Sequence, residues 1–226
     1  MKVVLDIETI PCDERDRCLL PKAKPPSSLV VEREGMSPED WLEQQYRMTA
    51  LDGTFGRIVC IGMILLTNAN EAKDAVLLYG NNEAKILAQF WNRMRAWNFP
   101  YLITHNGLSF DLPFIWKRSV IHRIPPSMEF RLARFRTDAI YDTMMVWANW
   151  DMRSAVGLGV LSKILGFEGK SGSGSQVFDM WNEGKLKEIA EYCFDDTYLT
   201  YGCYCRMKFI VPAPPEAFVP EYVQLA

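Results

Sequence analysis

Residues 2–8 read Lys2-Val3-Val4-Leu5-Asp6-Ile7-Glu8. Side chains alternate faces along a strand. Val3, Leu5 and Ile7 therefore point one way, and Val4, Asp6 and Glu8 the other. Two carboxylates at i and i+2 share one face and repel unless one is protonated or a divalent cation shares their oxygens. An exposed edge strand with two solvated acids would give the same pattern. An apolar strand that opens a domain tends, however, to be central.

Working outward, residues 11–57 break the strand pattern with Pro11, Pro21, Pro25 and Pro26. They read as an insertion between two strands, too short for a core of its own. One helix is expected inside it, with Ser37 as N-cap and Pro38 at its first position. Arg57–Thr67 (RIVCIGMILLT) reads as a buried strand, and Ala75–Tyr79 as its partner. Asn81–Trp97 has apolar residues at helical spacing, with Asn81 or Asn82 as cap.

Tyr101–Thr104 is a further short strand. It runs through the turn signal His105-Asn106-Gly107 into a helix from about Ser109 to Ser119. Met144–Trp150, Gly159–Leu165 and Lys185–Met207 also look helical, and a fifth strand is expected over Ala133–Ile140. Gly169–Ser175 has flexible loop chemistry, and the tail after Val211, with four prolines, is expected to carry little regular structure. The class is α/β, with a mixed sheet of about five strands flanked by helices. Residues 1–210 read as one domain, followed by a tail at 211–226.

Composition sets bounds. An apolar share of 49% and a charged share of 23% fit a globular chain with a real core. The net charge of −3 speaks against a protein that coats nucleic acid non-specifically, but not against an enzyme with a local basic track. One such track runs from Lys117 to Arg136. It holds Lys117, Arg118, Arg123, Arg131, Arg134 and Arg136 against Glu129 alone, although a solvated surface would also look so. Six cysteines form no C-x-x-C pair and only two histidines exist, which speaks against a structural zinc. No apolar run is long enough to span a membrane, and Met1–Asp6 reaches a charge after three apolar residues. A cytoplasmic location is expected.

Two more patterns carry chemistry. Asn106-Gly107-Leu108-Ser109-Phe110-Asp111 puts Asp111 in the first turn of a helix at the mouth of a strand, where ligands of open α/β sheets sit. Asp111 could equally serve the helix dipole. Tyr192 and Asp196 are four apart in the last long helix and lie one above the other, bordering the stripe formed by Leu186, Ile189, Ala190, Cys193, Thr197 and Tyr201. Asp195 points further round.

Together and in this order, the patterns resemble the three motifs of the DnaQ-like, DEDD-type 3′-5′ exonuclease superfamily. Asp6 and Glu8 match its D-x-E motif. Asn106 to Asp111 match the second motif, and Tyr192 and Asp196 the third, Y-x-x-x-D. Tyrosine at that position, with no histidine after His122, corresponds to the tyrosine branch. Within it the chain looks most like predicted exonucleases related to the proofreading domain of family B polymerases. Arg57–Gly62, Gly159–Gly166 with Gly174–Val177, and Glu188–Thr197 carry that closer likeness.

The resemblance implies a ribonuclease H-like fold. It implies hydrolysis of phosphodiester bonds from a free 3′ end, single-stranded or frayed and DNA before RNA, releasing 5′-mononucleotides. Asp6, Glu8, Asp111 and Asp196 would ligate two Mg²⁺ or Mn²⁺ ions, and Tyr192 would position the attacking water. Thr9, Ile10, Asn106 and Phe110 would line the pocket for the terminal nucleotide, although Ile10 and Phe110 could simply be core. Asp142 would lie near the site, or cap a helix. The long 11–57 insertion is a departure from the pattern.

Three rival readings compete with this one. A module that binds nucleic acid without cutting would be favoured by loss of a carboxylate, and none is missing. A phosphate-binding loop at Gly169-Lys170-Ser171 needs a glycine where Ile164 stands. An internally cutting ribonuclease H-like nuclease is disfavoured by the Y-x-x-x-D helix, through the resemblance alone.

Overall fold

A computed structural model of the chain describes residues 1–20, 37–168 and 174–226. Six strands form one sheet. In chain order they are β1 (Lys2–Ile10), β2 (Arg57–Leu66), β3 (Ala72–Tyr79), β4 (Tyr101–Thr104), β5 (Ile140–Asp142) and β6 (Glu221–Gln224). The spatial order is β5-β4-β1-β2-β3-β6. β1 pairs antiparallel with β2 and parallel with β4, so the strand bearing Asp6 and Glu8 is interior to the sheet, not an edge. β2 and β3 are antiparallel; β4 and β5, and β3 and β6, are parallel.

Seven α-helices are described: α1 (Pro38–Met48), α2 (Glu83–Ala96), α3 (Asp111–Ile121), α4 (Thr143–Trp147), α5 (Leu158–Ile164), α6 (Val177–Asn182) and α7 (Leu186–Met207). The alternation in β1 assigns them to faces. Val3, Leu5 and Ile7 join Ile61, Met63 and Leu65 in a core closed by Phe90, Trp91 and Met94 of α2 and by Leu112 and Ile115 of α3. On the opposite face Val4 and Ile64 pack on Tyr201 and Tyr204 of α7, while Cys60 and Leu77 pack on its Ile189, Ala190 and Cys193. This is a mixed α/β sheet flanked by helices, the ribonuclease H-like fold.

The expected helix start at Ser37 is present as a capping box. Ser37 Oγ accepts from the Asp40 amide, and the Asp40 carboxylate accepts from the Ser37 amide. The insertion is stitched to the end of β1. The Thr9 hydroxyl donates to Ala50 O at 2.7 Å, Tyr46 OH donates to Cys12 O at 3.0 Å, and the Cys12 amide donates to Thr49 Oγ1 at 3.0 Å. Pro21, Pro25 and Pro26, and residues 169–173 of the glycine-serine loop, lie outside the described residues.

Two expectations are corrected. The fifth strand does not span Ala133–Ile140; it starts at Ile140, opposite Leu102. The preceding residues are mostly exposed, and Phe135 has a left-handed backbone (φ 62°) that no strand accommodates. The tail also carries a strand. After Pro220, Glu221–Gln224 pairs with β3 from Val76 to Tyr79, making the sheet six-stranded.

Candidate active site

Asp6 and Glu8 project from β1 toward α7. Glu8 is buried and Asp6 partly so. Opposite Asp6 in the register is Gly62. A Cβ there would stand 2.5 Å from Thr197 Oγ1 and 2.9 Å from Cys193 Sγ, so the missing side chain is what lets α7 lie close to the two acids.

Within α7, Tyr192 and Asp196 are both buried one turn apart, whereas the neighbouring Asp195 is exposed. The Tyr192 hydroxyl is pushed far above its ordinary range. Burial is the main cause, followed by the carboxylates of Asp196, Glu8 and Asp6. Three of the four sequence-selected acids thus act on one tyrosine. Cys193, which had been noted only as part of the helix stripe, belongs to the same cluster. Its Sγ lies 3.8 Å from Asp6 Oδ2, and ligand atoms of Asp6, Glu8 and Cys193 all fall within 4.8 Å of one another. Burial, then Cys60, then the two carboxylates hold its thiol well above the usual range. The oxygen ligands of this cluster are the carboxylates of Asp6 and Glu8. That donor set suits hard cations such as Mg²⁺ or Mn²⁺.

The fourth acid arrives from the other side of β1. Asp111 is the first residue of α3, is 3% exposed, and its Oδ1 accepts from the Ile7 amide at 3.1 Å. The second and first motifs therefore meet at the peptide between Asp6 and Ile7. Burial chiefly, and then the Asp142 charge, raise the Asp111 carboxyl to about 7.

Asp142 both caps a helix and holds the motif loop. Its Oδ1 accepts from the amides of Met144 and Met145 at the start of α4 and from the Asn106 amide at 2.9 Å; its Oδ2 accepts from the Leu108 amide at 3.0 Å. This fixes Asn106 in the left-handed region (φ 63°). Gly107 follows because a Cβ there would sit 2.4 Å from Thr104 Cβ.

The remaining selected residues divide. Asn106 and Phe110 belong to the loop entering α3; the Phe110 ring is half-buried, 5.5 Å from that of Phe114. Thr9 adjoins the bulge after Glu8 and spends its hydroxyl on Ala50. Ile10 is fully enclosed in the core with Cys60, Tyr192 and Cys193.

The basic track is thinner than its count suggests. Arg118 is buried, with both Nε and Nη2 on Glu83 at 2.9 and 2.7 Å. Lys117 pairs with Asp52 and Arg136 with Asp138, each at 2.9 Å. Arg123, Arg131 and Arg134 form no ion pair among the described residues. No helix among the described residues is long and apolar enough to cross a membrane.

Comparison with known proteins bears on the fold and the family. The chain is similar in structure to the family B DNA polymerase of the hyperthermophilic archaeon Pyrobaculum calidifontis, with a TM-score of 0.56 and 12% identity. The match takes in 92% of this chain and 24% of the polymerase, so it speaks to the fold. No curated protein matches the chain. A family model for predicted 3′-5′ exonucleases related to the exonuclease domain of PolB matches residues 49–213. That span includes Asp111, Tyr192 and Asp196; β1, with Asp6 and Glu8, precedes it and is brought to them by the sheet. The chain belongs to this family of predicted 3′-5′ exonucleases related to the exonuclease domain of PolB.

Proposed function

We propose that the chain is a metal-dependent 3′-5′ exonuclease that removes 5′-mononucleotides from a free 3′ end, with DNA preferred to RNA. The observation that carries this reading is the meeting of three separate motifs. Asp6 and Glu8 on β1, Asp111 on α3, and Tyr192 and Asp196 on α7 converge about the middle of an interior strand.

In this reading Asp6, Glu8, Asp111 and Asp196 hold two Mg²⁺ or Mn²⁺ ions. Held there, such ions would supply hydroxide at neutral pH and charge stabilisation at the phosphate and the leaving 3′ oxygen. Burial and the carboxylates around it push the Tyr192 hydroxyl above its ordinary range and oppose ionisation. Tyr192 therefore orients the attacking water through its hydroxyl and does not act as a base. Asp142 keeps the 106–108 loop in place so that Asp111 faces β1. Asn106 and Phe110 border the terminal nucleotide. Thr9 and Ile10 shape that pocket from behind, since one hydroxyl is engaged and the other side chain is enclosed.

The test is degradation of 5′-labelled single-stranded DNA and RNA oligonucleotides with Mg²⁺, Mn²⁺ or EDTA, alongside Asp111→Asn. A metal-dependent ladder shortening from the 3′ end, absent in the variant, is expected. Binding without cleavage under every metal would replace the exonuclease with a non-cutting nucleic-acid-binding module.

A further inference from the structure

A groove of about 440 Å³ opens beside α3, between Leu108, Ser109 and Pro113 on one side and Phe135, Trp150 and Met152 on the other. Its aromatic residues are unusual in three respects. Phe135 is 73% exposed, so burial does not account for it. Its ring lies 5.4 Å from that of Trp150, tilted by 45°. Phe135 also has a left-handed backbone, at φ 62°, whereas that of Trp150, at φ 63°, belongs to the turn that ends α4, where its amide donates to Met145 O. Two loops distant in sequence thus present a pair of ring faces at the surface.

The charge around the groove points to a polyanion. Arg134 lines it, and Arg131 lies three residues earlier; among the described residues neither forms an ion pair. Of the nearby acids, Asp138 pairs with Arg136 and Asp151 with Arg153, while Glu129 shares a cavity with Arg131. The groove also adjoins the candidate active site through the chain itself. Leu108 and Ser109 lie just before Asp111, and Pro113 just after it.

We propose that this groove grips an unpaired nucleotide a short way from the scissile end. A base stacks on the Phe135–Trp150 faces and Arg134 pairs with a neighbouring phosphate. The inference rests on the exonuclease reading for its substrate, and adds to it a second contact that sets dependence on strand length. A duplex hides its base faces, whereas a single strand offers them, and stacking of this kind tolerates any base. Rings supply affinity without reading sequence, and the arginine supplies a salt-dependent share.

The test measures binding without chemistry, by anisotropy of labelled oligo(dT) and oligo(rU) of 2 to 12 nucleotides in EDTA. Affinity should climb with length. Phe135→Ala/Trp150→Ala should bind the preferred 12-mer at least tenfold more weakly, with little change for the dinucleotide, and Arg134→Ala should lower the salt slope by about one. Should the double variant fold poorly, Phe135→Ser alters only an exposed ring and should still weaken the 12-mer. A folded variant whose 12-mer affinity stays within twofold of the unaltered protein overturns the proposal and leaves the rings to some other partner. Absence of length dependence in the unaltered protein overturns it equally. Because no cleavage is measured, a protein that binds through this groove but never cuts would sink the exonuclease reading alone.

Discussion

The backbone amide of Ile7 donates to Asp111 Oδ1 across 3.1 Å, so a peptide of the first motif carries the carboxylate of the second. This amide and that of Asp111 itself do not compensate for burying a charge, and the carboxyl rises from 3.8 to about 7. A carboxylate with a raised folded-state pKa costs stability as pH climbs from the unfolded value to the folded one. In EDTA, Asp111→Asn should therefore be more stable than the unaltered protein at pH 8, by about 2–4 kcal/mol, with the gap closing toward pH 4. Urea unfolding across that range measures it. A gap that does not vary with pH would remove the burial cost from Asp111.

Activity should separate the same residue from Tyr192. Asp111→Asn should abolish nearly all cleavage. Tyr192→Phe should slow kcat about 10- to 100-fold yet leave its pH profile in place, as befits a hydroxyl that orients water and takes no proton. Equal losses, or a shifted profile in Tyr192→Phe, would contradict a purely orienting hydroxyl.

Gly62 sets how close α7 lies to β1. In Gly62→Ala the new methyl would collide with Thr197 Oγ1 and Cys193 Sγ, forcing the helix outward. We expect a stability loss of about 1–3 kcal/mol and a kcat reduced about tenfold or more, because Tyr192 and Asp196 ride on that helix. Adding Thr197→Ala removes the nearer collision and should restore part of both. Thermal melting and steady-state rates of the single and double variants decide; full activity in Gly62→Ala would detach helix spacing from the site.

Glu83 is a structural acid. Burial works to raise its carboxyl, but hydrogen bonds from His122 and Arg118, the Arg118 charge and the Ile58 amide outweigh that and hold it below the usual range. A lowered carboxylate contributes stability above its unfolded pKa and loses it as pH falls through the folded one. Glu83→Gln should destabilise by about 2–4 kcal/mol at pH 7, leaving Arg118 buried without a carboxylate, with the deficit shrinking below pH 4. Denaturant titration at pH 7 and pH 3.5 checks the sign. A deficit that grows on acidification would refute it.

Much of this was legible in order and spacing. Alternation in β1 told which residues share a face, and the i, i+4 relation paired Tyr192 with Asp196 and left Asp195 outside, because both periods are local. What local periods do not encode is pairing at a distance. Ala133–Ile140 looked extended, yet only Leu102 and its neighbours determine where β5 begins. Glu221–Gln224 is a strand because the edge of β3 offers its hydrogen bonds, a fact that the prolines upstream conceal. Cys193 and Gly62 were likewise unremarkable as letters; they matter because α7 crosses β1 and β2 at that spot. The cation run misled in the opposite way, since Arg118 and Lys117 serve acids elsewhere in the chain.

β6 bears on how the molecule is made. Its partner, β3, ends at Tyr79, and the pairing residues begin at Glu221, so that edge closes only once Glu221–Gln224 have been made and have left the ribosome. Until then Val76, Leu77 and Leu78 belong to an open margin able to recruit another strand. Synthesis of β6, not emergence of the candidate-site motifs, should therefore be the step that closes this margin against other strands, and chaperone demand should peak just before it.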